Sequence, residues 1–350
     1  MGDNILLIIM ANFLKVKEIY IYTLYNIMEY QKYIMTVIVL YAIGLIYNKF
    51  YKQYIDNDEN KNYNLIEKYL INDPTIKNRQ LPIIWIHLDY QKNSRWWPTF
   101  NSRQTYDLNQ PYMYLTIKSI INRCGKDFNI CLIDDNSFIN IIPNWSMDLN
   151  RVADPIKSKL RTLAMANLLK YYGGIIVPPT FLCMKNLADM YYTIVNDGTM
   201  FCGELLDRNS TSQHTDVFVS NKFMGCSKNC VTINEYISYL EKMISNDYTA
   251  ESDFLGAEDR WIQKKVFENK ISKINGNLLG VIDTKNKPVL IERLMNNSYI
   301  DFNNNILGVM LPGEDILKRT EYQWFARLSI KQALECDNIA GKLLLTTNTD

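Results

Sequence analysis

The chain has 350 residues, of which 47% are hydrophobic, enough for one large globular domain with a substantial core. Its 38 basic and 37 acidic side chains leave a formal net charge of +1, so the basic excess that nucleic-acid binding requires is missing and no such partner is expected. Two histidines, His87 and His214, exclude a histidine-rich metal centre. Seven cysteines without zinc-ligand spacing predict reduced, buried thiols; Cys226 and Cys230 lie four apart with no second pair after them.

Residues 1–32 carry no clear pattern, and Met28 is an alternative start. Tyr33–Tyr47 is an uninterrupted apolar run of about 22 Å as a helix, and flanking tyrosines and Lys32, Lys49 and Lys52 extend it toward membrane interfaces. It predicts a single-pass transmembrane anchor over 33–51. A buried helix would carry the same run, whereas a signal peptide fits poorly because no small-residue cleavage site follows. Lys49 and Lys52 after the span favour a cytosolic C-terminal domain. Residues 52–80 are polar and predict a stalk with one helix, Leu65–Ile71.

The globular domain is expected over 81–340. Leu81–Leu88 predicts its first strand, with His87 near the end, as a pocket residue or as a satisfied strand-end histidine. Asn93–Arg103 predicts a loop whose Trp96 and Trp97 can stack on a sugar or uracil ring or pack beneath the loop. Tyr112–Cys124 predicts a helix and Phe128–Ile133 a strand. Asp134, Asp135 and Asn136 then follow the strand's C-terminal end, where open α/β sheets bind ligands; Asp135 or Asn136 is expected to cap the next helix.

Asp154–Phe181 organises the rest. Asp154 is placed to cap a helix with Pro155 at its first position, and Ile156, Leu160, Leu163, Ala164 and Leu168 recur at helical spacing. Gly173 is the natural stop. Ile175–Val177 predicts a buried strand, which Pro178 and Pro179 end because they cannot donate to a ladder. Helix, strand, helix, strand in alternation argues for an α/β domain with a mostly parallel sheet flanked by helices.

Further strands are expected at Met200–Leu205 and Val217–Gly225. Helices are expected at Ile233–Ile244, from Gly256 onward with Glu258 and Asp259 on its dipole, and at Thr320–Glu335. Ser272–Pro312 is strand- and loop-like, and residues 341–350 form a frayed polar tail.

Tyr172-Gly173-Gly174-Ile175-Ile176-Val177, within this order of elements, resembles the glycosyltransferases of the sugar-binding-region class, whose Tyr-Gly-Gly-Ile-Tyr-Leu strand leads into an Asp-X-Asp motif on a GT-A fold. The resemblance covers roughly residues 81–270. By position it implies a nucleotide-sugar pocket at His87, Asp134, Asp135, Arg161, Thr162, Met165, Gly173, Gly174, Pro178, Pro179 and Thr180. The chemistry departs from the family. Its helix Asp and Arg fall on Thr162 and Met165, and its two metal-binding carboxylates on Pro178 and Thr180. A divalent cation that neutralises a diphosphate wants charged oxygen ligands, which proline lacks.

The expectation is therefore a membrane-anchored, glycosyltransferase-like protein without metal-dependent transfer, acting as a structural or glycan-binding protein. No cofactor is expected; manganese or magnesium would require another carboxylate, for which Asp135, Glu204, Asp207 and Asp259 are the nearest. The alternative is an active, metal-independent transferase in which Lys159, Arg161 or Lys185 replaces the cation. The partners implied are a membrane and a glycan or nucleotide sugar. The richness in Asn, Ile, Lys and Tyr suits AT-rich coding such as that of large DNA viruses, and hence a viral or host internal membrane or a virion.

Overall fold

The computed structural model of the protein describes residues 81–88, 110–196, 198–204, 217–245 and 256–349. All of them fall within one compact unit of the chain, Asn62–Asp350. The expected anchor, the stalk, the Trp96–Trp97 loop and Asp207 lie outside the described residues. Among the described residues no helix is long and apolar enough to cross a membrane.

The chain enters through β1 (Ile83–His87), then α1 (Tyr112–Cys124), β2 (Asn129–Ile133) and the short α2 (Ser137–Ile141). Next come α3 (Ile156–Tyr172), β3 (Gly174–Ile176), β4 (Phe181–Cys183), α4 (Ala188–Val195), β5 (Met200–Glu204) and β6 (Val219–Cys226). The remainder is α5 (Val231–Ser245), α6 (Ala257–Phe267), β7 (Ile271–Ile274), α7 (Ile291–Leu294), β8 (Gly308–Met310) and four helices, α8 (Gly313–Lys318), α9 (Gln323–Ala326), α10 (Ile330–Leu334) and α11 (Ile339–Thr349).

Six of the described strands form one sheet in the order β2-β1-β3-β6-β5-β7. β1 lies parallel to β2 and β3, β5 lies parallel to β7, and β6 runs antiparallel to both of its neighbours. The protein is thus α/β with a mostly parallel sheet, as the alternation predicted. β4 and β8 make a separate antiparallel pair.

The strand residues are apolar on both faces because both faces are covered. Ile83, Trp85, Cys131, Ile176 and Met224 pack on the side of α3 and α5, whereas Ile84, Ile86, Leu132, Ile175 and Phe223 pack on the side of α1 and α4. A third cluster lies between the β4–β8 pair and the C-terminal helices, around Tyr112, Leu182, Val309, Phe325 and Leu344.

β3 can meet β1 because of Gly173, which precedes it, and Gly174, its first residue. Both have positive φ, 71° and 103°. A Cβ on Gly174 would collide with the Ile83 carbonyl of the adjoining strand. The Gly173 carbonyl instead accepts a hydrogen bond from buried Trp85 Nε1 at 3.0 Å.

Several local expectations change. α3 begins after Pro155, which occupies the capping position without a side-chain hydrogen bond, so Asp154 does not cap it. The helix expected over Thr320–Glu335 is two short helices. Ser329 takes extended backbone between them and caps α10 in a reciprocal box with Gln332, which outweighs the continuous apolar pattern. The supposed frayed tail is α11, started by Asn338 Oδ1 accepting from Gly341 N at 2.7 Å and held by buried Ala340 and Leu344. Leu343 and Leu344 pack into the cluster beside the β4–β8 pair, whereas Leu345 is exposed.

Gly174→Ala is expected to cost more than about 4 kcal/mol or to abolish folding, since it adds backbone overlap to a left-handed φ. Urea unfolding followed by circular dichroism checks this, and a midpoint equal to that of the wild type would refute the close-approach account.

Candidate functional site

In an open α/β sheet, ligands settle outside the carboxyl ends of the strands where successive connections leave in opposite directions. Here that point is the end of β1, since β2 lies on one side of it and β3 on the other. His87 is the last residue of β1, Asp134 and Asp135 follow β2, and Val177–Thr180 follow β3. The first turns of α3 bring Lys157 and Arg161 to the same place, four residues apart and so on one helix face.

Asp135 is the centre of this group. Arg161 grips it with two hydrogen bonds, Nε to Oδ1 at 2.7 Å and Nη2 to Oδ2 at 2.6 Å. His87 Nε2 lies 3.0 Å from Oδ1 and must carry the proton, because a carboxylate only accepts. Lys157 Nζ stands 3.4 Å from Oδ2. All four side chains are half-buried, 12% exposed for Asp135 and 17–18% for the others. The His87 ring stacks on buried Phe138, with centroids 5.6 Å apart and planes inclined by 7°. Burial alone would raise the Asp135 carboxyl; hydrogen bonds from His87 and Arg161, with the guanidinium charge, outweigh it and hold the group well below the usual carboxylate range.

The adjacent Asp134 has the task expected of Asp135 or Asn136. Its Oδ1 accepts from Ser137 N at 2.8 Å and from the Ser137 hydroxyl, so Asp134 starts α2 and Asp135 is left to face the helix α3.

The segment after β3 closes in on itself. Val177 N makes a last bond to Trp85 O at 3.0 Å, and Phe181 N turns back to Pro178 O at 3.1 Å. The Pro179 carbonyl accepts from Thr116 on α1. Thr180 carries the tripeptide's one side-chain oxygen, and it is buried and directed at Met310 Sδ, 3.7 Å away. Among the described residues no group of three or more His, Cys, Asp or Glu is arranged to hold a metal ion.

β6 adds one cation that sequence reasoning missed. Met224 pairs with Ile176, so Lys222, two residues earlier in this antiparallel strand, comes alongside the end of β3. Its Nζ bonds Glu314 Oε1 at 3.1 Å, and Lys318 bonds the other oxygen at 2.8 Å. The Lys222 charge, with help from Lys318, pulls the Glu314 carboxyl down to about 2. Lys157 was also missed, although its spacing to Arg161 was a usable signal. For Lys222 the only signal is strand pairing.

Other predicted residues stand apart. Glu204 ends β5, beyond β6, where it takes a bond from Lys273 Nζ at 2.9 Å and from Gly276 N at 2.8 Å. Asp259 accepts from Asn221 N at 2.9 Å. Thr162 bonds the Ser158 carbonyl of its own helix at 3.2 Å, and Met165 is packed in the core. Gly173 and Gly174 lie at the start of β3, the far end from the crevice, so their role is in the backbone and not in a pocket. Lys159 forms a buried ion pair with Glu258 that ties α3 to α6, and Lys185 bonds the Asn304 carbonyl at 2.8 Å. Neither lysine joins the Asp135 group. No family model, curated protein or solved structure matches the chain.

Two outcomes are expected. Asp135→Asn lowers stability at pH 7 by about 1.5–3 kcal/mol, the value of hydrogen bonds to a charged group. Because the native carboxyl is depressed, this contribution is present above the unfolded carboxylate value of about 4 and is lost as pH falls toward the native one. The gap between wild type and variant in urea titrations therefore shrinks below about pH 4. Glu258→Ala removes the carboxylate that pairs with buried Lys159 and costs about 3–5 kcal/mol, whereas the double substitution Lys159→Met with Glu258→Leu recovers most of that loss.

Proposed function

We propose that the chain is a membrane-anchored, glycosyltransferase-like protein that binds a nucleotide sugar or glycan at the ends of β1, β2 and β3 and lacks the metal-dependent transfer step. The observation that carries this reading is the convergence of His87, Asp135, Lys157 and Arg161 at the switch point of the sheet, next to a Pro178-Pro179-Thr180 segment with no oxygen directed there. The Gly173–Gly174 approach of β3 to β1 supports it from the side of the fold. The charged groups suit a ligand bearing phosphate, which Arg can hold through paired N–H donors. Pro178 and Thr180 offer nothing to a hard cation there.

A second reading is favoured by Lys222. An ammonium beside the end of β3 can stabilise a diphosphate leaving group electrostatically in the place of a cation, which would retain transfer without metal.

The test is calorimetric titration of UDP, GDP and their common sugars into full-length protein in detergent, with and without manganese, beside an assay for release of nucleoside diphosphate. Binding indifferent to manganese, weakened about 10-fold or more by Arg161→Ala, is expected. Release of nucleoside diphosphate that Lys222→Ala abolishes would establish the second reading. Binding strengthened by manganese would overturn the metal-free site, and no binding to any of these ligands or to a glycan array would overturn the ligand site itself.

A further inference from the structure

Cys124 and Cys183 take no part in the site described above. Cys124 is the last residue of α1 and Cys183 the last residue of β4, 59 positions apart in the chain. Both are fully buried, and both are free thiols. Their sulfurs stand 3.8 Å apart in a thiol–thiol hydrogen bond. Cys183 Sγ donates to Lys185 O at 3.1 Å, which leaves Cys124 as the donor between the sulfurs.

The backbone around the pair is fixed on both sides. On one side the Cys183 amide donates to the Ser119 hydroxyl of α1 at 2.8 Å, and that hydroxyl donates in turn to Thr116 O at 2.6 Å. On the other, three residues beyond each cysteine, Asn186 Nδ2 donates to Asp127 Oδ2 at 2.5 Å. Asp127 N and Phe128 N both donate to Cys124 O and close the turn after α1, while Cys183 is held in register against Gly308 of β8. Two ties, one on each side, thus hold α1 and β4 at the separation at which the sulfurs meet.

We propose that Cys124 and Cys183 are joined by a disulfide bond in the folded protein, made by exchange with a small-molecule disulfide as the chain folds. An S–S bond is about 2.0 Å long, so the sulfurs have to approach by about 1.8 Å, a closure that rotations about the two Cα–Cβ bonds can share. Burial sets the time of the reaction. The exchange takes place while α1 is coming to rest on β4, and the finished bond is then shielded from reductants. In the first step one of the two thiolates attacks a sulfur of oxidised glutathione. A mixed disulfide forms, the glutathione S–S bond breaks, and one glutathione leaves and takes up a proton. In the second step the other thiolate attacks the cysteine sulfur of the mixed disulfide. The Cys124–Cys183 bond forms and the second glutathione leaves. The cysteines lose two electrons and two protons, and the oxidised glutathione gains them. Such a bond marks a domain that matures in an oxidising compartment. The loop it closes contains Asp135, Lys157, Arg161 and the Pro178–Thr180 segment, so it restricts most of the crevice in the unfolded chain.

The experiment refolds reduced full-length protein from urea, in detergent, with a mixture of reduced and oxidised glutathione. Remaining thiols are blocked with N-ethylmaleimide in urea, and the protein is digested with trypsin. Cleavage after Arg123, Lys126, Lys170 and Lys185 gives each of the two cysteines its own peptide. Peptides Cys124–Lys126 and Tyr171–Lys185 are expected to emerge joined and lighter by two hydrogens than their sum, while Cys131 and Cys202 carry N-ethylmaleimide. The oxidised protein is expected to unfold at a urea midpoint about 1 M above that of protein refolded in dithiothreitol. Cys124→Ala and Cys183→Ala each remove the joined peptides and that difference in midpoint, so either variant serves where the other fails to fold. Cys124 and Cys183 found alkylated after refolding, a pairing of the two no more frequent than their pairings with the other cysteines, or a midpoint indifferent to dithiothreitol overturns the proposal.

Discussion

The contact on which the rest of the structure depends is that between β1 and the start of β3. β3 is three residues long and has no room for a side chain at Gly174, where the Ile83 carbonyl occupies the space. Because the strand can come so close, Val177 N reaches Trp85 O, and β6 can then add on the far side of β3. Trp85 secures the arrangement from beneath by donating to Gly173 O. A larger residue at Gly174 would push β3 outward, and the carboxyl ends of β1 and β3 would no longer stand beside each other.

That adjacency gives the crevice its chemistry. Asp135 pairs with His87 because β2 lies parallel to β1 in a register that brings His87 level with Ile133, two residues before Asp135. α3, whose C-terminus is held at Gly173, runs back along the sheet and delivers Lys157 and Arg161 from its first turns. One carboxylate at the end of β2 then holds groups from the end of β1 and from a helix. In such half-buried surroundings the carboxylate is stable only because its hydrogen bonds outweigh its lost hydration.

Much of the fold was legible in the sequence where local pattern and tertiary need agree. Tyr112–Cys124 is a helix with the expected bounds, and the strands near Ile83, Asn129 and Met200 lie within a residue or two of expectation. The misreadings arose where a local signal had two solutions. Asp135 and Asn136 both looked like caps, yet Asn136 holds the capping position without a side-chain bond, Arg161 engages Asp135, and the bond to Ser137 N falls to Asp134. Ser329 could be passed over inside an apolar pattern or could divide it, and its reciprocal bonds with Gln332 divide it. Lys159 and Arg161 sit two apart on one helix, yet they face Glu258 and Asp135 respectively. Residues two apart on a helix point in widely different directions, and only the neighbouring elements decide what each one meets.

The sequence by itself determined the alternation of helix and strand from β1 to β3, the burial of β3 and the glycine pair that turns α3 into it. These follow from side-chain periodicity and backbone sterics acting over a few residues. Only the tertiary structure decided that β6 runs antiparallel, which sets Lys222 beside the end of β3, and that His87, Asp135, Lys157 and Arg161 share one place. The reason is physical. A charge finds its partner through space, and 48 positions separate His87 from Asp135 along the chain until parallel pairing of β1 with β2 removes that distance.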